Sequence, residues 1–382
     1  MLKAGTPALL PVYTQMPIRP VSGRGAWLVD EEGAEWLDAY GGHAVASTGH
    51  SHPRVVEAIA EQAGRLFFYS TAVPHPLRLR LAQQIAARCP NPLGQVFFCN
   101  SGAEANENAL HLARKATGRR AVASVTGGWH GRTVATLACC DGRAYEEGAL
   151  RAGMALSARV AFNDVASLDA VLNDSMAALI VEPVQGMAGA RDCSPEFLAA
   201  ARRICTERGI ALLFDEVQCG VGRTGAFTAA ELFGVVPDGL TLAKGLGSGY
   251  PIGAVVAGPM LAEGVGVGDL GSTFGGGPVA CAAALATLAV ITDEDLTGNA
   301  VRVGAHIAAG ARALGARKVW GRGLLRGLDF GRPAKEVQQA LFARRILTGT
   351  SADPNVLRIM PPLTLSRPEA DVLLAGLREV LA

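Results

Sequence analysis

From about residue 50, short unbroken apolar runs alternate with amphipathic segments, and this alternation constrains the fold more than any other feature. QVFFCN from Gln95, AVASV from Ala121, AALIVEP from Ala177 and IALLFD from Ile210 read as strands with no polar face, and Leu240–Ala243 and Ile252–Ala257 as two more. A strand that is apolar on both faces must be covered on both, and the segments between the runs can supply that cover. VVEAIAEQA from Val55, Leu77–Arg88, SGAEANENALHLARK from Ser101 and Pro195–Arg208 all carry helical periodicity. The prediction is an α/β fold with a large, mostly parallel sheet.

Two flanking regions differ. GAWLVDEEGAEWLD from Gly25 reads as a hairpin turning at Gly33. The alanine-rich stretch Pro278–Ile291 reads as a buried helix. Helices Val301–Leu314, Lys335–Arg345 and Pro368–Leu381, with strands Lys318–Trp320, Leu324–Phe330 and Val356–Met360, then suggest a smaller α/β unit. The expected division is 1–45 packing with the small unit, 46–279 as the large cofactor-binding domain, and 280–382 as the small C-terminal domain. A chain of 382 residues can bury a core in each.

Composition excludes some functions. Lys+Arg 35 against Asp+Glu 34 gives a formal +1 without charged blocks, so nothing electrostatic recruits nucleic acid or an anionic membrane. The eight cysteines show neither CxxC pairs nor the His spacing of zinc sites, so no metal is expected. They read as reduced core residues of a cytoplasmic protein. The opening MLKAGTPALLPVYTQMP is broken by prolines and resembles neither a signal peptide nor a membrane span.

The chemistry concentrates at strand ends. Asp215 closes the run from Ile210, and 29 residues later Lys244 stands in the glycine-rich TLAKGLGSGYP. A buried acid and a lysine in such a turn suggest pyridoxal 5'-phosphate: the lysine carries the cofactor as a Schiff base, and the acid keeps the pyridine nitrogen protonated. Leu242, Ala243 and Leu246 around Lys244 favour the neutral, nucleophilic amine.

The strand ending at Asn100 runs directly into Ser101-Gly102-Ala103-Glu104, where free N–H groups at a helix start can cradle a phosphate. An ordinary cap from Ser101 toward Glu104 is the plainer reading of those residues alone. In GGWHGRT from Gly127, Trp129 offers a ring to stack on a flat cofactor and Arg132 a fork for a carboxylate, although a solvated arginine is the simpler reading. His130 reads as a structural hydrogen-bonding residue. Glu182 ends another strand, and burying it beside Asp215 requires partners, one of which a cationic cofactor edge could supply. Ser272 and Thr273, in GSTFGGG from Gly271, offer further hydroxyls. Gly220, Gly222 and Gly225 match GxGxxG but lie late in the sheet, with four residues, Glu216 to Cys219, between Asp215 and the first glycine, which argues against a dinucleotide site.

In order along the chain, SGAEANE, GGWHGRT, VEPVQG, LLFDEVQCGVGRTG, TLAKGLGSGYPIGA and GSTFGG resemble the class III aminotransferases of pyridoxal-phosphate fold type I, and the resemblance runs from YTQMP at Tyr13 to VLRIMPPL at Val356. It implies that Lys244 bonds to the cofactor, Asp215 meets the pyridine nitrogen, Gln218 the ring hydroxyl, and Trp129 the ring face. Gly102 and Ala103 would hold the phosphate, with Thr273 reaching it from the other subunit of a homodimer. Arg132 and Arg358 would bind substrate carboxylates, and Tyr13 would contact substrate. The motifs are most similar to those of members that move the terminal amine of N-acetylornithine to 2-oxoglutarate, and of relatives acting on carrier-linked lysine. That implies arginine or lysine biosynthesis.

Ornithine or 4-aminobutyrate as donor, an aminomutase or racemase, and a non-catalytic binding protein remain as alternatives. Three positions depart from the family pattern. Met187 replaces the glutamate that pairs with the C-terminal arginine, His43 replaces a common isoleucine, and Gly277 replaces an asparagine. Without that glutamate, Arg358 should stay open to a carboxylate in both half-reactions.

Overall fold

The computed structural model describes residues 9–382. Strands β1 (Pro20–Arg24), β2 (Trp27–Asp30) and β3 (Glu35–Asp38) form an antiparallel meander. Asp30 makes its turn: Oδ1 accepts from Glu32 N and Ala34 N at 3.0 and 2.8 Å, and Oδ2 from Trp36 Nε1 at 2.7 Å. This is the expected hairpin, with β1 added at its edge.

The next strands are β4 (Gln95–Cys99), β5 (Ala121–Val125), β6 (Ala158–Val160) and β7 (Met176–Val181), then a short pair, β8 (Val184–Gln185) and β9 (Arg191–Asp192). They are followed by β10 (Ala211–Asp215), β11 (Gly239–Leu242) and β12 (Gly253–Ala257). Seven of these form the central sheet in the order β4-β12-β11-β10-β7-β5-β6. Only β12 runs antiparallel to its neighbours. The ten residues between β11 and β12 are too few for the crossover that a parallel pair needs. β6 has only three residues, one of them Arg159, and gives no apolar run to read.

Period-2 alternation separates the two cores. Leu179, Val181, Leu212 and Phe214 face one cluster; Ala178, Ile180, Ala211 and Leu213 face the other. On the second face, Ala105, Ala109 and Ala113 let the helix Gly102–Thr117 lie close to the sheet. Each fully buried leucine or phenylalanine contributes about 1.5–3 kcal/mol relative to exposure.

After the apolar helix Pro278–Asp293, β13 (Lys318–Arg322), β14 (Leu325–Asp329), β15 (Ile346–Leu347), β16 (Gly349–Thr350) and β17 (Val356–Ile359) alternate with helices Leu296–Ala313, Ala334–Phe342 and Arg367–Leu381. Four of these strands form a sheet in the order β13-β14-β17-β16, while β15 pairs in parallel with β3. The opening meander is thereby joined to C-terminal residues, and Trp36 packs on Phe342 with ring centroids 4.7 Å apart. All eight cysteines are free, and no helix among the described residues is long and apolar enough to cross a membrane.

Candidate active site

The register of the parallel strands builds the site. Val181 pairs with Phe214 and Thr241 with Asp215, so Glu182, Asp215 and the turn carrying Lys244 emerge together at the carboxyl ends of β7, β10 and β11. There they line a cavity of about 520 Å³, together with Tyr13, Ser101, Gly102, Ala103, Trp129, Arg132 and Gln218. Ser272, Thr273 and Arg358 are not among the cavity-lining residues.

Asp215 is 3% exposed and has several donors. Oδ2 accepts from Asn106 Nδ2 and from His130 Nδ1, each at 2.8 Å, and Oδ1 accepts from Val217 N at 3.0 Å. Asn106 is itself fixed: Nδ2 also donates to His130 O at 2.8 Å, and Oδ1 accepts from Thr241 Oγ1 at 2.6 Å. Asn106 was not singled out from the sequence. It lies on the buried stripe of its helix with Ala109, Leu110 and Ala113, and a lone amide on that stripe was the available signal. His130 is the hydrogen-bonding residue that was expected.

Glu182 finds its partners in the backbone, accepting from Trp129 N at 2.8 Å and Gly186 N at 3.0 Å. Burial, and then the negative Asp215, push its carboxyl well above the usual range. Lys244 occupies a left-handed conformation, φ +42°, which strains any residue other than glycine. Burial lowers its pKa against the pull of Asp215 and Glu182, and its Nζ lies 5.7 Å from the centre of the Trp129 ring.

The plainer reading of Ser101 is what the geometry shows, at a position open to the cavity. Ser101 caps the helix, its Oγ accepting from Glu104 N at 3.2 Å, and it lines the cavity. Arg132 is exposed, its guanidinium 5.4 Å from the centre of the cavity-lining Tyr145 ring, a neighbour not anticipated. Gln218 has a buried Oε1 without a partner, and Gly186 lies so close that a Cβ there would come within 1.6 Å of that oxygen. Arg358, 3% exposed, donates to Thr350 O at 2.6 Å and Gly186 O at 3.3 Å, and forms no ion pair among the described residues. Met187, next to Gly186, faces the cavity. Ser272 Oγ accepts from Asn100 Nδ2 at 3.2 Å, and Thr273 is exposed.

The family model for class-III aminotransferases matches residues 10–381. The chain is a class III aminotransferase. It is 38% identical to the acetylornithine aminotransferase of Methanothermobacter thermautotrophicus, over 98% of this chain and 96% of that one. Its identity to the acetylornithine aminotransferase of Methanopyrus kandleri is 40%, over 97% and 95%. Among solved structures, the ornithine aminotransferase of Toxoplasma gondii superposes with a TM-score of 0.90 at 29% identity, covering 98% of this chain and 92% of that one.

As a class III aminotransferase, the enzyme uses pyridoxal phosphate. The residues present fit that group: a buried lysine with a depressed pKa, a donor-held acid opposite it, an unpartnered Gln218 oxygen and an open helix N-terminus share one cavity. When bound, the cofactor withdraws electrons from the carbon that carries the substrate amine, making its proton removable.

Proposed function

We propose that the enzyme moves the terminal amine of N-acetylornithine, or a similarly N-acylated basic amino acid, to 2-oxoglutarate, giving the semialdehyde and glutamate. Relatives named acetylornithine aminotransferase, 36–40% identical over nearly the whole chain, support this donor. The observation that carries the acidic acceptor is Arg358, a buried guanidinium that donates to Gly186 O and has no carboxylate partner among the described residues. The resemblance to ornithine aminotransferase keeps ornithine as the second reading.

In this reading Lys244 anchors the cofactor, Asp215 faces its ring nitrogen, Gln218 its ring hydroxyl and Trp129 its face. The backbone of Gly102 and Ala103, with Ser101, holds the phosphate. Lys244 Nζ takes the proton from the amine-bearing carbon and holds it for redelivery. Arg132 and Arg358 orient carboxylates, Tyr13 contacts the donor, and Glu182 holds the Trp129 loop against the site.

Two copies would complete two sites, with Thr273 reaching the partner's phosphate. Exposed Phe67, Phe68, Tyr69 and Phe274 support this assembly. Phe67, Phe68 and Phe274 border a groove of about 350 Å³ that shares Asn100, Tyr250 and Pro251 with the main cavity. The β3–β15 pairing supports grouping 1–45 with 280–382, while the helix Pro278–Asp293 runs across the 279/280 boundary. A cytoplasmic role in arginine or lysine biosynthesis follows from the same reading. Mixing holoenzyme with N-acetylornithine in the absence of an acceptor should convert the cofactor absorbance to the amine form in one turnover; no change with any ω-amine overturns the proposal.

A further inference from the structure

Four successive residues lining or flanking the cavity are left-handed: Gly41, Gly42, His43 and Ala44, with φ of 61°, 55°, 69° and 65°. Two carry side chains, and each such residue costs about 1–2 kcal/mol. The surroundings over-determine the turn. Asp38 Oδ1 accepts from Tyr40 N at 2.9 Å and Gly41 N at 2.7 Å, and Ala44 N donates to Tyr40 O at 3.1 Å. Gly41 has no room for a side chain, since a Cβ would come within 2.6 Å of Met360 O. The strained turn brings His43 to the cavity wall beside Gly42 and Val45.

The Tyr40 hydroxyl is 2.5 Å from His43 Nδ1 and 3.2 Å from Nε2. Burial raises the Tyr40 pKa, so the phenol keeps its proton and can donate to a ring nitrogen, both of which lie within reach. Burial, then Arg358 and Lys244, lower the His43 pKa and favour the neutral ring. A neutral imidazole that accepts from Tyr40 at one nitrogen carries its proton on the other, and that N–H is a donor. The main chain contributes too, because His43 O accepts from Gln218 Nε2 at 3.4 Å.

We propose that His43 is a specificity-determining residue whose ring N–H donates to a carbonyl or carboxylate oxygen on the part of the donor remote from the transferred amine. This rests on the ω-aminotransferase reading and adds a substrate requirement: the donor must present an acceptor oxygen to this wall, which the acyl carbonyl of N-acetylornithine supplies and free ornithine lacks.

The test compares wild type, His43→Phe and His43→Gln as holoenzymes, each with unchanged cofactor absorbance. kcat/KM is measured for N-acetylornithine, ornithine and 2-oxoglutarate, and Kd for N-acetylnorvaline, which keeps the acyl group and lacks the amine. His43→Phe should lower the N-acetylornithine to ornithine ratio about tenfold and weaken N-acetylnorvaline by a similar factor, while His43→Gln, which keeps an N–H donor, recovers most of both. A ratio unchanged within about twofold, an equal fall for all three substrates, or His43→Gln matching His43→Phe overturns the inference. Wild type that turns over neither amine removes the underlying reading as well, and is distinct from wild type that is selective with His43→Phe equally so.

Discussion

Asn106 donates its side-chain amide to Asp215 Oδ2 at 2.8 Å, joining residues 109 positions apart at the cavity wall. Hydrogen bonds to a buried charge contribute about 1.5–3 kcal/mol. Asn106→Ala should therefore weaken pyridoxal phosphate binding to the apo-enzyme by about tenfold or more, read by equilibrium titration. Thr241→Val, which removes only the donor to Asn106 Oδ1, should have a smaller effect in the same direction. Unchanged affinity in Asn106→Ala would show that Asp215 needs no such support.

Met187 follows Gly186, whose carbonyl accepts from Arg358. Met187→Glu places a carboxylate beside Arg358, and the resulting pair should compete with 2-oxoglutarate, raising its KM about fivefold while changing kcat less. Arg358→Ala should be more severe, about 30-fold or greater in kcat/KM, because it removes a planar, charged clamp. Steady-state kinetics at varied 2-oxoglutarate check both; equal acceptor kinetics in all three enzymes would place Arg358 outside acceptor binding.

Much of this arrangement was legible in the chain, for reasons particular to each element. Asp215 and Glu182 could be read as strand ends because the runs before them are apolar without interruption, and parallel pairing brings such ends together. The reversed direction of β12 was hidden, since an apolar run looks the same in either sense, although its short connection carried the information. Asn106 and Tyr145 were not legible as site residues, because each reaches the site through tertiary packing. Arg358 was legible through resemblance, but its bonds to the carbonyls of Thr350 and Gly186 follow from packing that no local pattern encodes.

The lowered pKa of Lys244 has a kinetic consequence. Its amine attacks the cofactor only when neutral, so the rate of cofactor attachment to apo-enzyme should rise with pH and level off below the ordinary lysine value of about 10.4. A stopped-flow pH series measures this directly. A rate still climbing through that ordinary value would contradict the desolvated environment.

Glu216 should give the fold a different pH dependence. It is buried, its oxygens accept from Ala229 N and Ala230 N at 2.5 and 2.8 Å, and burial raises its pKa from 4.5 to about 7. A folded-state pKa above the unfolded value means that this group's contribution is fully present below 4.5 and is lost as pH rises through about 7. Glu216→Gln should therefore flatten part of the fall in thermal stability between about pH 4.5 and 7. Melting curves of both proteins with parallel pH dependence would refute this assignment.

The identity of the donor is the central claim, and the ratio of kcat/KM for N-acetylornithine to that for ornithine, with 2-oxoglutarate as acceptor, tests it most directly. The account predicts a ratio of about 100, corresponding to about 2.7 kcal/mol of differential transition-state binding. A ratio near one, or turnover that persists unchanged when 2-oxoglutarate is omitted, would contradict it.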